Sequence, residues 1–481
     1  MDANSAQAAA KTIQLSPHAT PGYIHAEGLT EESAKITSEL LTINHALYHT
    51  RWKDTLHNHI VHHLLALWAL GAKPNEIQEM WEYNKDYQGP IEKRPPETVL
   101  PDLDLNDSVV FQKCLGNDDC YVDFLKFFEN EVAEKGMQEV IKEYLFRGDE
   151  RANDILGRMF TDLVHPIIHL GCGIEFQQPS LVAEALAGAC VHVNWPKTFL
   201  LPTEEYIRSN KEVPSRSLLQ VLNSLRQDPE IASGVKDTDP FNKIPDGFLK
   251  RVTAEQLVPY LSQFEVKPEP EDLQRKMADM MHTTAYVLGA AQRPGKSEAM
   301  DFVLLHCVTL AVFYPAILAQ NWLSDHDKAR LLEATARVDA VMYAGCASPA
   351  LYANRIVDYV PRNPGDGWPE LFHRSMVYRD EGHAAKLIRA LYSLEQLGEP
   401  GPDFPIAKRD FFKVAHMAMD SIERAFDEIN GNKVPENIAE GVVKRVGHGG
   451  NMVVGNMTRW VFYGGLPGAW DYVPNLRDIH A

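Results

Sequence analysis

Long stretches of the chain return an apolar residue every three or four positions, and short segments rich in Pro, Gly or Asp separate them. That spacing lays apolar side chains along one face of an α-helix. It predicts helices over 31–70, 119–146, 152–168, 180–193, 215–225, 272–288, 299–318, 325–343, 369–397 and 408–430. Thr30, followed by Glu32 and Ser33, and Ser297, before "EAMDF", read as helix caps. Loops are predicted at 88–104, 196–204, 227–247, 262–271, 293–297, 361–368 and 398–406. Strand-like alternation is rare, with "NMVVGNMTRWVFYG" one ambiguous case. The expectation is a mainly α fold with little β structure. A single large, bundle-like helical domain over 29–481 follows a flexible N-terminal tail over 1–28.

Composition and charge narrow the setting. With 481 residues, 45% of them hydrophobic and 23% charged, the chain can bury a substantial core. A net charge of -19 disfavours nucleic acid or an anionic membrane as the main partner. No run approaches the ~20 apolar residues that span a bilayer. The start, "MDANSAQAAAKTIQ", has no charged segment leading into an apolar one, so no secretory signal is expected. Six cysteines (Cys114, Cys120, Cys172, Cys190, Cys307 and Cys346) show no Cys-x-x-Cys spacing, and four lie in apolar helical patterns. A reducing, intracellular and cytoplasmic setting is expected.

Histidine placement then changes the picture. "LHNHIVHHLLALWALGA" holds His57, His59, His62 and His63 within seven residues before turning apolar. His59 and His63 are neighbours on one helix face, a spacing that suits one metal ion. Ile60 follows His59, so this is not the His-Glu-x-x-His of a zinc protease. "DLVHPIIHLGCGIEF" repeats the spacing with His165 and His169. Pro166 predicts a kink beside His165, and Gly171 and Gly173 are expected to let the chain turn sharply. His306 sits on an apolar stripe in "MDFVLLHCVTLAVFYP", and His383 and Lys386 are three apart in "YRDEGHAAKLIRALYSL". Each histidine also has a plainer reading, as a satisfied core or exposed imidazole. Two His-x-x-x-His pairs in a helical chain can meet inside a bundle, and imidazole donors favour iron, zinc, copper or nickel over magnesium or calcium. Candidate ligands are His59, His63, His165, His169, His306 and Lys386. His383 and His62 are candidate general bases. Four Asp-x-x-His spacings (Asp54/His57, Asp162/His165, Asp279/His282, Asp380/His383) offer carboxylates as ligands or as acceptors behind them. A buried Lys386 beside cations loses its proton readily, and the neutral amine can capture carbon dioxide as a carbamate, an anionic oxygen ligand.

"LHNHIVHHLLALWALGA", "HPIIHLGCGIEF", "EALAGACVH", "RPGKSEAMDFVLLHCVT", "RDEGHAAKLIRAL" and "GGLPGAWDYVP" together resemble the fungal questin oxidase family, also called AflY-type oxidoreductases. The blocks span about 57 to 474, nearly the whole chain. The resemblance implies a large helical oxidoreductase of polyketide secondary metabolism that opens the central ring of anthraquinones. One outcome it implies is a Baeyer–Villiger type oxygen insertion with NADPH as reductant. Another is iron-dependent oxygenation of anthraquinol-type substrates.

No strand–Gly-x-Gly-x-x-Gly–helix unit is present, so a flavin on a dinucleotide fold is not expected. Dioxygen still needs an activator, and the histidines favour iron(II). The sequence therefore points to an oxygenase acting on an anthraquinone with O2. Trp68, Phe176, Trp195, Phe313, Tyr314 and Tyr343 are candidates to line a flat pocket, and Arg293 and Lys296 to meet a phosphate or acid. Three alternatives stay open: a metal-free, NADPH-dependent Baeyer–Villiger enzyme, a di-metal carboxylate oxygenase, and a helical scaffold that binds a polyketide without turning it over.

Overall fold

A computed structural model describes residues 3–52, 56–91, 103–210, 212–431 and 459–476. The fold is mainly helical, as expected, and among the described residues the strands amount to one two-stranded hairpin. The chain divides into two compact units. Unit 1 comprises Met1–Lys197, Phe313–Ser324 and Glu381–His383, and unit 2 comprises Thr198–Val312, Asp325–Asp380 and Ala384–Ala481.

In unit 1, helix α1 (Glu31–Leu47) starts where Thr30, in extended conformation, accepts the Ser33 N–H. Glu31 and Glu32 meet the positive end of its dipole. The predicted 31–70 helix does not continue past Tyr48. There the backbone turns outward to bond a neighbouring segment: His49 N–H donates to Gly89 O, and Ile91 N–H to Leu47 O. A short hairpin follows, β1 (Arg51–Trp52) paired with β2 (Leu56–His57), with Arg51 opposite His57. Helix α2 (Ile60–Ala69) is buried at every position, which its unbroken apolar run explains. Helix α3 (Tyr121–Lys135) stops at Gly136, whose φ of 82° suits glycine. Helices α4 (Thr161–Glu175) and α5 (Pro179–Val191) pack together, and α5 also packs on α3.

Residues 3–28, expected as a flexible tail, instead carry a helix over Ala3–Ala9 and bury Ala10, Ile13 and Ile24. Their backbone is held by side chains of α4 and the turn after it: Glu175 accepts from Tyr23 and Ile24, and Gln178 from Gln14. Apolar side chains that find a core outweigh the loop-like composition. Gly171 and Gly173 do not turn the chain. They lie inside α4, where Phe313 and Val182 pack so closely that a Cβ would sit 2.5 Å and 2.8 Å from them.

Unit 2 is built on α6 (Phe302–Ala311), α7 (Asp325–Gly345) and α8 (Trp368–Val377), with α9 (His383–Ser393) following along the chain. Asp301, not Ser297, caps α6, accepting from the N–H groups of Val303 and Leu304. The predicted 196–204 loop is a helix over Lys197–Ser209, with Phe199, Leu200 and Thr203 buried. The predicted 369–397 helix breaks into α8 and α9 around Gly382, at φ 85°. Residues 451–458 of the ambiguous strand lie outside the described residues, and Val461 makes an isolated bridge to Asp301. All six cysteines are buried, and none is in a disulfide. Among the described residues, no helix is long and apolar enough to cross a membrane.

Candidate metal centre

The centre in unit 1 is organised by Asp162. At the start of α4, Asp162, Leu163 and Val164 adopt φ of 44°, 54° and 58°, a left-handed turn that is strained for residues with a Cβ. Pro166 has no N–H, so the carbonyl four residues earlier, that of Asp162, loses its helical donor. His165 Nδ1 donates to it instead, at 2.5 Å. That bond fixes a tautomer: the hydrogen is on Nδ1 and, in the neutral ring, the lone pair is on Nε2. The lone pair lies 2.8 Å from His59 Nε2, which must then be the donor. His59 Nδ1 faces Glu381 Oε2, 3.4 Å away, with a lone pair if the ring is neutral and with a hydrogen if it is an imidazolium. His383 completes the group, the donor atoms of all three lying within 4.8 Å of one another.

A proton on Nδ1 or a metal cation between the two makes this contact attractive. Metal–ligand bonds of about 2 Å place neighbouring donors roughly 3 Å apart, and His59 Nδ1 and Glu381 Oε2 stand 3.4 Å apart. Two imidazoles and one carboxylate are also the donor set of non-haem iron(II) oxygenases. These residues therefore fit a divalent transition metal. Gly382 makes the approach possible, because a Cβ there would lie 2.4 Å from His63 Cγ.

Beside this group runs a buried proton line. His62 Nε2 is 3.2 Å from His169 Nδ1, and His169 Nε2 is 2.7 Å from Glu184 Oε2. Glu184 Oε1 accepts from His45 Nδ1 at 2.5 Å, and His45 Nε2 meets Glu129 at 3.1 Å. Burial opposes a charge on His45, but its hydrogen bonds to Glu129 and Glu184 outweigh burial and raise its pKa to about 9. Burial likewise pushes Glu184 up, and the bonds from His169 and His45 bring it down to about 2. His45 is thus an imidazolium held between two carboxylates.

A second cluster lies next to the first. His192 Nε2 is 2.8 Å from His57 Nε2 and 3.4 Å from Asp162 Oδ2. The ring of His57 stacks on that of His165, with centroids 4.0 Å apart. Burial, then the neighbouring His165 and His192, hold His57 well below its ordinary pKa, and burial also lowers His192. His57, His62, His165, His169, Glu184 and His192 line a cavity with room for about one water molecule. A fused tricycle does not fit there.

The structure thus gathers His59, His62, His165, His169 and His383 into one centre in unit 1. His63 is buried beside Asn84 and Gly382. The i, i+4 pairs diverge: His165 meets His59, whereas His169 meets Glu184 and His62 through its two nitrogens. His306 and Lys386 belong to unit 2. His306 Nδ1 donates to Phe302 O, and burial, then the charge of Lys386, lower its pKa to about 3. Lys386 is only 8% exposed, so it is not a solvated surface lysine. Of the Asp-x-x-His pairs, Asp162 serves His165 through its backbone, Asp380 accepts from Ala384 N–H, Asp279 accepts from Leu218 N–H, and Asp54 lies outside the described residues. Trp68, Phe176, Trp195, Phe313, Tyr314 and Tyr343 are buried core side chains, and none of them lines the cavity. Lys296 donates to Val473 O. Glu381, Glu184, His45, Glu129 and His192 went unread in the sequence, although "EGH" and "EALAGACVH" contain three of them.

Fold and site together define a helical protein with a buried histidine–carboxylate cluster whose donor set fits a metal ion. The questin oxidase-like family model matches residues 56–391, and the chain belongs to that family. It is similar to the oxidoreductase AflY of Aspergillus parasiticus, with 43% identity over 98% of this chain and 95% of that protein. It also resembles the Baeyer-Villiger monooxygenase dmxR6 of Cryptosporiopsis sp. (37% identity, covering 86% of this chain and 94% of the relative). A questin oxidase of Aspergillus terreus is 34% identical over 88% of this chain and 95% of its own length. The protein is accordingly an oxidoreductase, and the family expected from the sequence is the one found.

Proposed function

We propose that this protein is an oxygenase that opens the central ring of an anthraquinone-type polyketide, acting on the reduced, anthraquinol form beside an iron(II) held by His59, Glu381 and His383. The observation that carries the metal reading is the convergence of His59, Glu381 and His383, whose donor atoms lie within 4.8 Å of one another, with His59 Nδ1 3.4 Å from the Glu381 carboxylate. The relatives' names support the substrate class and reaction type, and "Baeyer-Villiger monooxygenase" favours insertion of one oxygen atom over two. Iron bound there would supply the one-electron redox chemistry through which dioxygen reacts with a closed-shell organic molecule. NADPH, on this reading, reduces the quinone beforehand.

The chain's own residues handle the protons. His62 takes a phenolic proton on Nδ1 and releases the one on Nε2 to His169 Nδ1, and the Glu184 carboxylate, which stays ionised, stabilises the charge that His169 then carries. Charge is carried away from the reacting centre without opening it to water. Of the ligands expected from sequence, His165 orients His59 and His169 moves protons. His63 packs against Gly382 and so seats the segment carrying Glu381 and His383. His306 and Lys386, expected as donors from the sequence, lie in unit 2 and have no part in this proposed site. Six buried cysteines, none of them in a disulfide, support an intracellular, cytoplasmic setting.

The test supplies iron-loaded protein with a chemically reduced anthraquinone under isotopically labelled dioxygen and weighs the product. A ring-opened product with one labelled oxygen supports the proposal, and two labelled atoms make the enzyme a dioxygenase. Absence of ring opening, or full activity in a strong chelator, overturns the iron-dependent reading.

A further inference from the structure

We infer that His57, Asp162 and His192 form a second divalent-cation site, separate from the His59–Glu381–His383 group and suited to a borderline transition metal such as zinc or iron. Their donor atoms lie within 4.8 Å of one another and share none with the first group.

The chemistry of the donors carries the inference. His192 Nδ1 is hydrogen-bonded to the Gly188 carbonyl, which only accepts, so the hydrogen is on Nδ1. In the neutral ring, Nε2 then offers a lone pair. That lone pair faces His57 Nε2 at 2.8 Å and the Asp162 carboxylate at 3.4 Å. A proton on His57 satisfies the first contact and leaves the second repulsive. A divalent cation satisfies both.

Each donor is held by its local backbone. His57 ends β2, His192 caps α5, and Asp162 lies in the left-handed turn of α4. Such fixed donors form a metal site without reorganisation. His57 and His192 also border the water-sized cavity, which leaves room for a fourth, water ligand. Arg51 is the competing cation, but its Nη1 is engaged by Asp118 at 2.8 Å, and its Nε stands 3.9 Å from Asp162.

The test is titration of metal-free, full-length protein with cobalt(II), following its visible absorption and the bound metal by equilibrium dialysis. Wild type is expected to bind about two equivalents. Asp162→Asn, which keeps the backbone carbonyl that His165 needs, and His192→Ala should each bind about one. His59→Ala should also bind about one, the remaining ion lying at the second site. One wild-type equivalent that survives Asp162→Asn and disappears in His59→Ala overturns this inference and leaves the proposed function standing. One equivalent with the opposite pattern supports the second site and overturns the first. No binding by wild type overturns both. Asp162→Asn preserves size and hydrogen bonding, so the result does not depend on whether His192→Ala folds.

Discussion

Raising the pH from 6.5 to about 9 strips the proton from a buried imidazolium, and unit 1 should weaken as it does. His45 is 4% exposed and lies between Glu184 and Glu129, which raise its pKa from 6.5 to about 9. A pKa raised on folding stabilises fully below the unfolded value and loses that stabilisation as pH rises through the folded one. The loss therefore falls between 6.5 and about 9. At about 1.4 kcal/mol per pKa unit, the interaction is worth roughly 3 kcal/mol. Glu184 reports the same contact from the acid side: its pKa falls from 4.5 to about 2, so its contribution is lost as pH falls through that lower range. The two figures describe one interaction and do not add. The assay is urea unfolding of wild type and His45→Gln across the alkaline window. Wild type should lose roughly 3 kcal/mol more than the variant. Parallel curves would refute the ion triad, because a neutral His45 hydrogen-bonded to two carboxylates gives no such difference.

Three further outcomes are expected. Gly382→Ala places a Cβ 2.4 Å from His63 Cγ at a residue with φ 85°, so the segment carrying Glu381 and His383 must move. Metal affinity should fall at least ~10-fold, and unchanged affinity by dialysis would remove Glu381 from the site. Glu184→Gln keeps the shape but removes the negative charge that stabilises a protonated His169, so turnover should slow about 10-fold or more, with a larger solvent isotope effect. An unaltered rate and isotope effect would make the His62–His169–Glu184 line purely structural. Gly171→Ala forces a methyl to 2.5 Å from Phe313 and should destabilise by about 1–3 kcal/mol in a thermal melt.

The helical class and the presence of the histidine runs were legible because both are local. An apolar period of three to four residues and the spacing His165-x-x-x-His169 depend only on the chain nearby. The pairing of those histidines was not legible. His59 and His63 read as one helical face, yet His59 precedes α2 and takes its direction from the hairpin before it. Pro166 announced a kink, but not that its missing N–H would hand the Asp162 carbonyl to His165. His45 meets Glu184 across 139 residues, a contact that no local pattern encodes. A signal did exist: Glu184 is the one charge in the otherwise apolar "SLVAEALAGACV", and a lone buried carboxylate needs a partner. The N-terminal residues misled because polar composition hid Ile13 and Ile24, each buried in the core.

The proposed iron site is tested by the metal content of protein purified without added metal or a metal-binding tag, wild type beside Glu381→Gln and His59→Ala. The account predicts iron in the wild type and its loss, together with activity, in both variants. Iron retained by both variants, or full activity in a wild type carrying no metal, would contradict it.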